Sequence, residues 1–467
     1  MKINKPLAHK LFTLAMLFAG LMTVGCSNDK VKNEAPYDPS HPVKITDFEP
    51  HDVNARTRML IYGENFGNDK SLLKLKVGGV ETKIINCNNN CIYCMVPPRA
   101  FDGTIELKIG EQSASSPEKY NYKTSTQVKT LCGTVDGTGR YEIKDGPFSE
   151  CGVGDPYWMS IDPKNHNHIY FIENKSSIRL IDMEKQEVST LITVGDMNIA
   201  RPESIEWSVN ADTMFVSNWQ DNSNNPISIS ALLRSEDFKR SHAILTGFKF
   251  LYSAVPHPQN GEIYFSEESG GSIYRFVPGS GKAPEEIIKF GASWVWLKIF
   301  FHPSGDYAYV VRVREQQVYK CIYNRKTRTL ENPTLLVGNG FGRVEGSGTN
   351  VRFALPWQGV FVKNNSYVQN GNEELYDFYL ADPSHIYYGD GQGYGNVIWK
   401  ITSLGTATIY AGLGSTGLDG NDYGYVDGDL RKEARFNRPY ALAYDEQTMT
   451  FYIGDKGNHR IRLITIE

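Results

Sequence analysis

Apolar residues along positions 434–467 gather in three short runs, 440–444, 450–454 and 460–466. Asp445-Glu446-Gln447 and Asp455-Lys456-Gly457-Asn458 separate them, and both stretches carry turn-forming residues. The pattern predicts an antiparallel meander of three strands. A sheet that small buries one face only, so it needs further copies packed against it.

Such copies recur upstream. Aligned on the turn after the first strand, units begin near Tyr157, Glu203, Tyr252, Leu297, Trp357 and Tyr440. Their second strands read IYFIE (169–173), MFVS (214–217), IYFSE (263–267), AYVV (308–311), FYLAD (378–382) and FYIGD (451–455). Six units spaced roughly 45 to 80 residues apart fit the repeat length of a β-propeller whose loops carry insertions. A blade has four strands, yet the sixth unit reaches only its third at Glu467, while residues 128–133 (VKTLCG) precede the first unit without a partner. The early strand is expected to complete the last blade and close the ring.

Phe436-Asn437-Arg438-Pro439, followed by residues 452–462 (YIGDKGNHRIR), resembles an NHL repeat, and Gly412, Asp427-Gly428 and Phe436 resemble its inter-blade loop. The resemblance implies a six-bladed NHL-type β-propeller over residues 125–467. Unit five departs from the pattern by inserting residues 364–377, and units two to four lack the Asn-His-Arg signature.

At the other end, Lys2, Lys5 and Lys10 precede an apolar run at 11–24 and then Gly25-Cys26. That run is too short for a stable span and reads as a secretory signal. It resembles a bacterial lipoprotein signal over residues 1–26, in which Cys26 becomes the lipidated first residue; Thr23 stands where Leu is usual. Residues 27–42 are polar, contain Pro36, Pro39 and Pro42, and read as a flexible tether. Strand patterns then follow at 58–63, 73–77, 92–96 and 103–109. Phe48-Glu49-Pro50, Ile61-Tyr62-Gly63-Glu64-Asn65-Phe66-Gly67, Val77-Gly78-Gly79 and Val96-Pro97 resemble an IPT/TIG domain, which implies an immunoglobulin-like sandwich over 43–124. The predicted fold class is all-β.

A net charge of −4 lacks the basic excess a nucleic-acid binder needs. With Cys26 set aside, Cys87, Cys91, Cys94, Cys132, Cys151 and Cys321 remain. Disulfides, free buried thiols and, for the first three, metal ligands all fit their spacing, and spacing does not choose among pairings. No fourth ligand for zinc is evident beside them, and no cofactor is predicted.

The first strand of each blade lines a propeller's channel, so the aligned starts should meet at its mouth. Tyr157, Glu203, Tyr252, Trp357 and Tyr440 fall there, with Trp158 and Trp296 beside them, and turns on the same face bring Trp219, Glu267, Glu268, Arg314, Asp390, Asp455 and Lys456. Aromatic faces with neighbouring carboxylates suit carbohydrate, whose C–H face stacks on rings while its hydroxyls take directed hydrogen bonds. The same rings also serve as filler between blades. Trp207, Trp294 and Trp399 lie in strand patterns and are expected in the core.

Some NHL-like propellers are metal-dependent lyases or lactonases, but His166, His168, His257 and His302 map to turns on the opposite face. His459 belongs to the repeat signature, and His242 and His385 sit in different blades. The whole arrangement resembles the surface glycan-binding lipoproteins of gut-bacterial polysaccharide-utilisation systems. That resemblance implies a non-catalytic polysaccharide binder, lipid-anchored in the outer membrane and facing outward, that delivers glycan to a TonB-dependent transporter. A protein-interaction scaffold and a propeller lyase or hydrolase are the alternatives.

Overall fold

The computed structural model describes residues 35–466, apart from 55–56, 98–99, 101, 124–125, 222–225, 292–293, 365, 368–369, 384–393 and 413–422. The predicted signal and Cys26 lie outside the described residues, as do His385 and Asp390. The chain divides into two compact units, the second being Thr126–Ile466.

In the N-terminal unit, strands Lys44–Glu49, Arg58–Glu64, Cys91–Met95 and Ile84–Asn88 form one sheet. Val80–Glu81, Leu73–Val77, Ile105–Ile109 and Gln112–Ser115 form the other. Strict alternation builds the core: Leu73, Leu75 and Val77 point inward while Lys74 and Lys76 face water, and Ile105, Leu107 and Ile109 repeat the rule. Residues 36–42, expected to be flexible tether, are docked on this sandwich instead. Asn65 Nδ2 donates to the carbonyls of Asp38 (2.8 Å) and His41 (2.7 Å), and Gln112 Nε2 donates to that of Pro39 (2.9 Å).

The second unit is a six-bladed β-propeller of antiparallel blades, each with four main strands, three of the blades being extended by a further two-residue strand. Pro156–Asp162, Asn165–Glu173, Ser177–Asp182 and Glu187–Thr193 make the first blade. The sixth contains Pro439–Asp445, Thr450–Asp455 and Arg460–Ile466, and its fourth strand is Thr126–Cys132 from the unit's beginning, paired from Thr126 opposite Ile466 to Cys132 opposite Ile461. The predicted closure of the ring is thus realised.

Apolar clusters fill the blade interfaces. Val128, Tyr379, Phe436 and Ile453 join blades five and six, and Met159, Phe171, Ala441 and Ile461 join six and one. Between blades four and five, Tyr309 meets Phe361 with ring centroids 4.9 Å apart. Gly454, on the second strand of blade six, marks a close approach to the innermost strands of blades six and one, because a Cβ there would lie 2.7 Å from Ala441 and 2.8 Å from Pro156.

A polar device repeats at the end of the second strand. Glu173, Asn218, Asp382 and Asp455 each accept backbone N–H groups of the loop leading into their own blade, from Gly154, Ala200 and Arg201, Ala354 and Leu355, and Asn437 respectively. In blades one and six a fully buried arginine from the third strand completes the pair: Arg179 lies 2.7 Å from Glu173 and Arg462 2.7 Å from Asp455. Blade five substitutes the indole of Trp399, which donates to Asp382 (2.8 Å). Asp455, expected at the mouth, is therefore a buried anchor: its carboxylate is committed to Arg462, Asn458 and Asn437.

The six cysteines at 87, 91, 94, 132, 151 and 321 are free thiols. Cys132 and Cys151 share the interface core between blades six and one.

Candidate functional site

The starts of the first strands converge as the repeat pattern requires. Ring centroids are separated by 5.3 Å for Tyr157 and Tyr440, 5.2 Å for Tyr440 and Trp357, and 6.3 Å for Trp357 and Tyr252. Trp296 lies 5.4 Å from Tyr252 and 6.4 Å from Trp357. Six residues far apart in sequence, Glu203 included, share one mouth.

Convergence does not leave all of them open to a ligand. Tyr252 and Trp357 are each 3% exposed and Tyr440 9%, because the rings pack edge to face on one another and lie under lysines. They form the mouth's wall. Tyr157, Trp219 and Trp296 remain half-buried and present ring surface to it.

Trp158 is removed from the mouth. The strand's register shifts at Tyr157, and Trp158 packs beneath Lys298, whose Nζ lies 4.7 Å from its ring, stacks on Phe300 at 6.0 Å and donates Nε1–H to the Ile205 carbonyl. There it lines a cavity of about 350 Å³ with Glu206, Phe300 and Phe361, toward the far ends of the first strands. Gln358 separates the two regions, accepting from the amides of Met159 and Leu442 (both 3.0 Å) and donating to the Met159 carbonyl (2.7 Å).

Glu267 also departs from expectation. It closes the second strand of blade three opposite Ser272, and its charge falls near Tyr274. The next residue, Glu268, reaches the mouth: one carboxylate oxygen accepts from Trp219 Nε1 (2.9 Å) and the other from Trp296 Nε1 (2.8 Å). This 2% exposed carboxylate fixes the orientation of both accessible indoles.

Trp294, expected in the core, is 58% exposed, with φ of 64° at the turn before blade four. Its ring lies 6.3 Å from Phe250, which lies 4.9 Å from Trp219. Trp219, Phe250 and Trp294 thus make a continuous aromatic rim. The other two tryptophans assigned to the core pack inward, Trp399 completely and Trp207 between Tyr170 and Phe238.

Of the mouth's cations the pattern of strands singled out Arg314 and Lys456, but not Lys175, Arg201 and Lys298. Glu203, 1% exposed, receives Lys175 Nζ at 2.5 Å, Arg201 Nε at 2.9 Å and Lys298 Nζ at 3.7 Å. Lys298 also donates to the Tyr252 carbonyl (2.8 Å) and sits 4.4 Å over Trp357. Burial pushes Lys298 down to about 7 and Lys175 down to about 8, although Glu203 pulls both the other way. Burial works to raise the Glu203 pKa, and the three cations outweigh it, holding the carboxyl below its ordinary range. Inside the channel, burial pushes Glu206 up to about 8.

Four of the histidines weighed as metal ligands are engaged in structural contacts. His166 pairs with Asp445 (2.6 Å), His257 bonds the Gly305 carbonyl (2.9 Å), His242 pairs with Glu236 (2.6 Å) and His459 stacks on Tyr141 at 3.8 Å. Among the described residues no group of three or more His, Cys, Asp or Glu is arranged to hold a metal ion.

Fold and mouth together define an IPT/TIG sandwich followed by an NHL-type propeller, and residues 42–124 match the IPT/TIG domain family. Two solved structures are similar over nearly the whole chain. An auxiliary nutrient binding protein from Bacteroides thetaiotaomicron is 37% identical, with 92% of this chain and 99% of that one covered and a TM-score of 0.68. An auxiliary nutrient binding protein from Bacteroides ovatus is 31% identical, with 93% and 100% covered and a TM-score of 0.77. The chain belongs to the family of these Bacteroides proteins. A further B. thetaiotaomicron structure, 31% identical over 93% of this chain and 99% of its own with a TM-score of 0.68, carries a phosphatase designation. Among curated proteins, none matches the chain.

Proposed function

We propose that this is a non-catalytic nutrient-binding protein whose ligand is a carbohydrate seated at the propeller mouth. The observation that carries the reading is the rim, where Trp294, 58% exposed, continues through Phe250 to Trp219 while Glu268 holds Trp219 and Trp296 in place. Solvent-facing indoles held at fixed angles suit the apolar faces of sugar rings, and the pre-set orientation lowers the entropy lost on binding. The nutrient-binding names of the two Bacteroides relatives support the same role. In this proposal Cys26 carries a lipid anchor at the outer membrane, and the captured polysaccharide passes to a TonB-dependent transporter at the cell surface.

Screening residues 27–467 against a polysaccharide panel tests the proposal. For a retained glycan, Trp294→Ala and Trp219→Ala are each expected to weaken binding by about 1–3 kcal/mol in calorimetry. Trp294→Ala should leave the melting temperature unchanged because that ring is exposed. Unaltered affinity in both variants would remove the rim as the site. Product release from a glycan, or capture of a protein partner with no glycan retained, would favour the enzyme or scaffold alternative.

A further inference from the structure

Two thiols meet at the seam where the ring of blades closes. Cys132 ends the closing strand of blade six, opposite Ile461, and Cys151 lies in the loop that leads into blade one. Both are buried in one apolar core with Met159, Phe171 and Ala441, and their side chains are in hydrogen-bond contact. The backbone fixes their approach. Thr134 N–H donates to the Cys151 carbonyl (2.9 Å), and Cys151 N–H donates to that of Pro147 (2.8 Å). The next carbonyl, of Gly152, accepts from the fully buried Arg179 (2.8 Å). The other cysteines lie elsewhere: Cys87, Cys91 and Cys94 in the N-terminal unit, and Cys321 in the core around blades three and four.

The surroundings divide the two thiols by role. The hydrogen bond from Cys132, the Gly133 N–H and the charge of Arg179 bring Cys151 below the ordinary thiol range although burial opposes them. The same contact, together with burial, holds Cys132 well above that range. Cys151 is therefore the nucleophile, and Cys132 the thiol that keeps its proton longer.

We propose that Cys132 and Cys151 form a disulfide that clasps the closing strand of blade six to the loop entering blade one. Of the preceding reading this takes the export of the chain, which brings it to disulfide donors, and nothing about its ligand. The Cys151 thiolate attacks one sulfur of a donor disulfide and expels the other as a thiolate, leaving a mixed disulfide. Cys132 then loses its proton and attacks the Cys151 sulfur, releasing the donor's second thiolate. Two electrons pass from the pair to the donor, whose disulfide becomes two thiols. Because both cysteines are buried, the exchange belongs to folding, before the closing strand is fully docked. Afterwards the strand's end is tied to a loop that Arg179 anchors, so the ladder from Thr126 to Cys132 no longer peels from that end.

The test directs residues 27–467 to the periplasm of a bacterial host with that host's own signal sequence, so the result does not hinge on residues 1–26. Free thiols are alkylated at lysis and the protein is digested without reduction. Trypsin cuts after Lys129, Arg140, Lys144 and Lys164, so residues 130–140 joined to 145–164 are the expected product. Both cysteines alkylated, or either joined to a different cysteine, would overturn the proposal. Melting with a phosphine reductant should fall about 3–6 °C below melting without it in the wild type. The double variant Cys132→Ala, Cys151→Ala should show no such difference. An equal shift in both proteins, or none in the wild type, would contradict the clasp.

Discussion

Glutamine in place of Glu203 is expected to cost about 3–5 kcal/mol of folding stability, read from the midpoint of chemical denaturation, the range typical of breaking a buried ion pair from one side. The carboxylate is 1% exposed and is the shared counter-ion of Lys175, Lys298 and Arg201, which repel one another without it. A loss below 1 kcal/mol would mean that the cluster is solvated, and the description of the mouth would need revision.

The same cluster makes stability depend on pH. Lys298 is fully buried, and its folded pKa of about 7 lies below the ordinary lysine value of 10.5. Between those values the unfolded chain binds the proton and the folded chain does not, so this group's contribution to stability rises with pH. Relative to Lys298→Met, the wild type should gain up to about 1.4 kcal/mol per pH unit between pH 8 and 10. A parallel pair of pH profiles would show Lys298 to be solvated in the folded protein.

Alanine at Trp357 should be equally damaging, costing about 3–5 kcal/mol. This indole is 3% exposed and contacts Tyr252, Trp296 and Tyr440 beneath two lysines, so its removal opens a void in the wall. The contrast with Trp294 is the informative part. Truncating the wall should lower the melting temperature, whereas truncating the rim should lower affinity. Unchanged stability in Trp357→Ala would move this ring from the wall to the accessible surface.

The ring of blades was legible because each unit repeats an apolar second strand and a turn, and because Val128 could pair with nothing near it in sequence but lies opposite Ile464 in the fold. The meeting of Tyr157, Tyr252, Trp357 and Tyr440 followed from the same alignment. Exposure did not follow. An aromatic at a channel mouth has one sequence signature whether it packs on its neighbour, as Trp357 does, or faces water.

Trp294 looked like a strand residue until its positive φ turned it outward, and Glu267 and Glu268 differ only in which side of a strand end they occupy. Lys175 and Lys298 stayed hidden for another reason. One comes from a turn of blade one and the other from the innermost strand of blade four, and Glu203 of blade two joins them only in three dimensions.

The central claim is that the propeller mouth is where this protein holds its ligand. The most direct measurement is a crystal structure with an oligosaccharide from a retained glycan bound. A sugar ring stacked on Trp219, Trp294 or Trp296 beside Lys175 and Lys456 is the expected result. Ligand density confined to the IPT/TIG sandwich, or to the far end of the channel near Trp158 and Glu206, would contradict it.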